Sequence, residues 1–144
     1  MKPLATLLFC LTLATTTWAE GWLTSWDQAA AESKRTGKPI LADFTGSDWC
    51  IWCKRLKAEV FDTSEFKDWA KKNVVLLELD YPSSGNQPAN IKAQNEKLKE
   101  KYAIQGYPTV LFLDHKGKQL AQYGYDQGGP TVWTKKASEM LKKP

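Results

Sequence analysis

The sequence predicts an α/β fold in which a central mixed sheet of four or more strands is flanked by helices. Short runs dense in β-branched and leucine residues alternate with segments of helical periodicity. The first two such runs are separated by helical pattern, which calls for a parallel crossover, whereas the last two are separated by a short glycine-containing stretch that suits a hairpin. With 144 residues, 42% hydrophobic and 25% charged, the chain has the balance of one ordinary globular domain with one core.

From about Trp26 to Arg35, residues Trp26, Ala29, Ala30 and Ser33 share one helical face, and Gly37 stops the helix. Ile40 to Phe44 is an almost unbroken apolar run, as a strand covered on both faces requires. Between Trp49 and Val60, the residues Cys53, Leu56 and Val60 recur on one side of a helix that turns Lys54, Arg55 and Lys57 to water. Thr63 is placed to cap the next helix, with Phe66, Trp69 and Ala70 inward and Asn73 at its close. Val74 to Leu79 supplies a second strand, parallel to the first. Tyr81 to Pro88, with prolines around Ser-Ser-Gly-Asn, is a loop. A polar helix from about Asn90 to Tyr102 keeps Ile91, Leu98 and Tyr102 as its apolar stripe. Val110 to Leu113 and Leu120 to Tyr125 flank the hairpin loop Asp114 to Lys118, and a last helix after Pro130 buries Trp133, Ala137, Met140 and Leu141.

Ahead of these elements, Lys2 precedes an apolar run from Leu4 to Leu13 and a small-residue stretch ending at Ala19. This is the pattern of a secretory leader over residues 1–19, with a retained membrane anchor as the alternative, and leaves residues 20–144 as the domain. The expected location is periplasmic or otherwise exported. Twenty lysines and arginines against 16 acids give +4, and loss of Lys2 lowers this to 4 − 1 = +3, too little for a nucleic-acid footprint. Cys10 leaves with the leader, so the domain holds two cysteines, Cys50 and Cys53, in a compartment where disulfides persist.

Cys50-Ile51-Trp52-Cys53 follows the first strand and opens a helix. Unpaired N–H groups at a helix start favour thiolate, the form that attacks a disulfide. Cys50 is therefore the candidate attacking sulfur and Cys53, one turn further in, the resolving one. Two other readings stand beside this: a structural bridge, which over so short a loop constrains the unfolded chain little, and a metal site, which lacks a second cysteine pair and has only His115 in the far hairpin. The expectation is no metal and no organic cofactor, only the redox-active Cys50–Cys53 disulfide.

Beyond the cysteines, Asp43-Phe44 before the pair, Trp49 to Lys54 at it, and Gly106-Tyr107-Pro108-Thr109 after it resemble the three landmarks of the thioredoxin superfamily, across nearly all of residues 22–144. Phe44 to Cys50 is especially similar to exported bacterial thioredoxin-like proteins, including the thioredoxin-like domains of thiol:disulfide interchange systems. The resemblance implies a thioredoxin-like fold and thiol–disulfide exchange. It implies a cis Pro108 beside Cys50, with the Tyr107 and Thr109 backbone open to a substrate strand, and Asp43 as a buried carboxylate that takes the proton of the resolving cysteine. Partners would be protein thiols and disulfides, with a membrane-embedded electron donor if the chain is a reductase, and the protein would be a monomer.

Two departures stand out. One extra residue separates Asp43 from Cys50, and Ile51-Trp52 replaces the usual Gly-Pro. Without a histidine between the cysteines the pair should be less strongly oxidising, which favours a reductase or electron relay over an oxidant. Trp49 is expected in the core beside Cys50, where it would also shape the docking surface. Trp52 is open between core and partner contact. The lysines from Lys92 to Lys101, interleaved with Glu96 and Glu100, read as a solvated face rather than an anionic docking patch, and the Tyr81 to Pro88 loop as a tolerated insertion rather than a partner contact. The competing class is a thioredoxin-fold binding module whose cysteines staple the helix or hold a metal such as copper.

Overall fold

The computed structural model describes residues 21–142, so the leader predicted over residues 1–19 lies outside the described residues. Ser25 accepts the Gln28 N–H and caps α1 (Trp26–Thr36), which Gly37 ends at a φ of 73°, the left-handed conformation glycine adopts without a Cβ clash. Strand β1 (Ile40–Thr45) is buried at every residue, as its unbroken apolar run requires. It lies at the centre of a four-stranded sheet ordered β2-β1-β3-β4. β2 (Val75–Asp80) runs parallel to it, and β3 (Thr109–Leu113) and β4 (Gln119–Tyr123) form the antiparallel hairpin. Leu23 adds a parallel bridge to Leu77 at the outer side of β2.

The sheet divides the interior into two clusters because alternate strand residues point to opposite faces. Ile40, Ala42 and Phe44 meet Leu77, Leu79 and Leu111 on the side of α1 and α4 (Ala89–Lys101). Leu41, Val110 and Phe112 face the other helices, where Phe66 of α3 (Ser64–Asn73) and Trp133 of α5 (Gly129–Lys142) are fully buried. Thr63 caps α3 by accepting the Phe66 N–H at 3.2 Å.

Three details differ from the sequence expectation. The helix after Cys50 is α-helical only over α2 (Ile51–Leu56) and continues as a π-helical turn, Lys57–Phe61. That turn buries both Val60 and Phe61. The last helix begins at Gly129 rather than after Pro130. The polar helix α4 buries Asn95, whose amide donates to the Asp80 carbonyl at 3.0 Å while its own carbonyl accepts the Tyr81 hydroxyl at 2.7 Å.

Candidate active site

At the end of β1 the chain turns at Gly46, whose carbonyl accepts the N–H groups of Trp49 and Cys50 at 3.3 and 2.9 Å. A side chain at Gly46 would collide with the Trp49 indole, its Cβ falling 2.6 Å from Cζ2, so glycine is what lets the ring cross this turn. Cys50 then stands as the N-cap of α2, with extended backbone and its Sγ accepting the Cys53 N–H at 3.2 Å. The two cysteines are joined as a disulfide with Cα atoms 5.2 Å apart. Gly46 N–H donates to the Cys53 Sγ at 3.5 Å. Relative exposures of 6% for Cys50 and 4% for Cys53 do not separate the two; their different places relative to the helix start do.

Trp49 is 51% exposed, which corrects its assignment to the core. Its indole N–H donates to the Tyr81 carbonyl at 2.9 Å and its ring meets Tyr107 edge-on at 5.6 Å, so loop contacts hold it at the surface. Trp52 is 46% exposed. The Arg55 guanidinium lies 5.0 Å from its ring centre and 5.2 Å from that of Tyr125, and both Arg55 and the Tyr125 hydroxyl donate to Glu59, at 2.8 and 2.6 Å. With exposed Ile51, these indoles leave an apolar surface around the disulfide.

The Tyr107–Pro108 peptide bond is cis, and Thr109, whose hydroxyl donates to the Gly106 carbonyl at 2.7 Å, starts β3 opposite Phe44. Trp49 next to Cys50 and Tyr107 next to Pro108 thus bring the cysteine turn and the proline turn together. Asp43 is 6% exposed and lies between Glu78 and Val110 in the sheet register. Two residues after Leu41, it faces the α2 side of the sheet. Its Oδ1 is buried without a hydrogen-bond partner. Burial, and then the charges of Glu78 and Asp80, push the Asp43 carboxyl up to about 8. Glu78 is raised in turn by burial and by Asp80, against Lys57.

Sequence reasoning did not find Asp48 and Glu78. The Asp48 carboxylate accepts the Ser83 N–H and hydroxyl, both at 2.9 Å, and the Ser84 N–H at 3.3 Å, while Asp80 accepts the Ser47 N–H and hydroxyl at 3.0 and 2.6 Å. Glu78 is placed beside Asp43 by inter-strand register, which no local pattern encodes. His115 is exposed in the β3–β4 loop. Among the described residues, no cluster of three or more His, Cys, Asp or Glu is arranged to hold a metal, and no helix is long and apolar enough to cross a membrane.

Comparison with known proteins agrees with this geometry. The disulfide bond reductase DsbH of Chlamydia pneumoniae is 38% identical over 118 residues, covering 82% of this chain and 71% of that protein. A solved DsbH oxidoreductase structure superposes with a TM-score of 0.81 at 37% identity, over 86% of this chain and 85% of that one. The thiol:disulfide interchange protein DsbD of Pseudoalteromonas atlantica is 31% identical over 99 residues, 69% of this chain but only 15% of that much longer protein. The family model described as thioredoxin-like domain matches residues 26–129. With its strand order, cysteine turn and Tyr107–Pro108 turn in place, the chain belongs to the thioredoxin-like domain family of the thioredoxin superfamily.

Proposed function

We propose that this protein is a thiol–disulfide oxidoreductase that works, in an exported or periplasmic setting, as a reductase or electron relay for protein disulfides. The observation that carries the reading is the Cys50–Cys53 disulfide at the start of α2, with the Cys53 N–H directed at the Cys50 sulfur. A sulfur that accepts a backbone N–H is better stabilised as thiolate than as thiol. The leader-like first 19 residues support the location, and the similarity to a disulfide bond reductase and a thiol:disulfide interchange protein supports the activity.

In the reduced protein the Cys50 thiolate attacks one sulfur of a substrate disulfide. A bond forms between Cys50 and that sulfur, the substrate S–S bond breaks, and the displaced sulfur leaves as a thiolate that takes a proton from water. Cys53 then gives its proton to Asp43 and attacks the Cys50 sulfur. The mixed disulfide breaks, the second substrate sulfur leaves, and Cys50–Cys53 is oxidised; two electrons have passed from the protein dithiol to the substrate. A membrane-embedded dithiol donor restores the reduced state by the same exchange in reverse. Pro108, with the backbone of Tyr107 and Thr109, borders the substrate strand, and Trp49 and Trp52 flank it.

Reduction of insulin disulfides tests the reading. Turnover by the wild type and its loss in Cys50→Ser are expected, together with a dithiothreitol-releasable mixed disulfide on Cys53→Ser. A wild type that does not turn over, with partner binding unaltered in Cys50→Ser, would instead establish a binding module.

A further inference from the structure

Beside the cysteine turn lies a cavity of about 220 Å³ walled by Trp49, Tyr81 and Tyr107 and rimmed by Lys92, Glu96 and Lys99 of α4. We propose that it is a substrate subsite that receives an acidic side chain from the polypeptide whose disulfide is reduced. The inference rests on the exchange reading above and adds to it a substrate class.

The walls are cross-linked rather than loose. Trp49 donates to the Tyr81 carbonyl, the Tyr81 hydroxyl donates to the Asn95 carbonyl on α4, and the Tyr81 and Tyr107 rings lie 5.2 Å apart. Asp48 fastens the loop that follows Tyr81. The volume falls short of a pocket for a whole small-molecule ligand and suits one side chain. Its position suits a substrate residue: one wall is next to Cys50 in the chain and another is next to Pro108. Along an extended strand, alternate side chains face the same way, so a residue two positions from the reacting cysteine shares its face.

Charge selects the occupant. Lys99 is half-buried, with its ammonium 5.5 and 5.9 Å from the Tyr81 and Tyr107 ring centres, and Lys92 stands at the same rim. Among the described residues neither ammonium is ion-paired with a carboxylate, Glu96 included. Two cations against one anion leave the rim positive. An acidic side chain completes it, and a basic one is repelled. Lys92 and Lys99 of α4 are thus part of the substrate surface.

The test compares two peptide disulfides that differ only in carrying glutamate or lysine two residues from the cysteine, on either side. In the wild type the glutamate peptide should be reduced with kcat/KM about three- to fivefold higher at low salt, carried by KM and shrinking in high salt. Lys99→Met, which keeps the stem and removes the ammonium, should cut that ratio. Lys92→Glu at the exposed rim should cut it independently, the double variant should bring it to one or below, and Lys135→Met on α5 should leave it in place. Equal reduction of both peptides by the wild type, or a ratio that survives in the double variant, overturns the subsite while leaving the exchange reading intact. Failure to reduce either peptide overturns both.

Discussion

The carboxylate of Asp48 accepts the backbone N–H and the hydroxyl of Ser83, both at 2.9 Å, and so ties the loop after β2 to the turn that carries Cys50. These hydrogen bonds hold the Asp48 carboxyl below its ordinary range, the Ser83 N–H contributing most. A depressed carboxylate contributes stability that is present above its unfolded pKa and lost as pH falls through its folded one. Asp48→Ala should therefore remove hydrogen-exchange protection at the Ser83 and Ser84 amides. The wild type should lose the same protection in acid. Unchanged protection in the variant would show that the loop is held by other contacts.

Asp43 has the opposite sign. Its carboxyl is raised to about 8, so the folded chain binds a proton that the unfolded chain has released above about pH 4. The associated stability is complete in acid, declines as pH rises, and is exhausted above about pH 8. Asp43→Asn carries no such charge, and its stability relative to wild type should climb between pH 4 and 8, by on the order of 3–5 kcal/mol, and then level off. Denaturant unfolding at stepped pH checks this. A difference that does not change with pH contradicts the assignment.

The same carboxyl should limit the rate of resolution. With Asp43 as the proton acceptor, release of the mixed disulfide by Cys53 accelerates as pH approaches 8, and Asp43→Asn slows it by about tenfold or more while flattening that rise. Stopped-flow measurement of the second exchange step separates this from a general loss of folding, since the first step by Cys50 should keep its rate.

Arg55 lies over both the Trp52 and Tyr125 rings, which themselves meet at 5.1 Å, and its charge is matched by Glu59. Arg55→Ala should free the Trp52 ring and raise KM for a protein disulfide about threefold with kcat kept. Arg55→Lys should not restore it, because an ammonium lacks the planar face. A KM unchanged in both variants would remove Trp52 from the docking surface.

At α3, Thr63→Ala removes the cap on the Phe66 N–H and should cost about 1 kcal/mol, read as a lower Tm with activity per folded molecule preserved.

Much of this was legible in the chain. The parallel pair of β1 and β2 and the hairpin of β3 and β4 follow from apolar runs and connection lengths, and the redox pair from its place between strand and helix, whereas the pairing of β1 with β3 is seen only in the structure. Thr63 was visible as a cap because the cap is a local interaction. What escaped depends on contacts distant in sequence. Trp49 has the composition of a core residue, yet Gly46 and the Tyr81 carbonyl fix it outward. Glu78 and Lys99 look like ordinary strand and helix charges until register and packing set them beside Asp43 and the tyrosines. The π turn at Lys57–Phe61 has no simple sequence signature, so the helix after Cys50 reads from its spacing as regular.

The central claim concerns one sulfur, and the pH dependence of Cys50 alkylation in the reduced Cys53→Ser protein tests it most directly. Held at the mouth of α2, Cys50 should react at a lower pH than a cysteine in a short unstructured peptide, and a variant with Pro at position 53, which lacks the N–H, should lose that advantage. A Cys50 that titrates like the peptide thiol, or that no reagent reaches in the folded protein, contradicts the account.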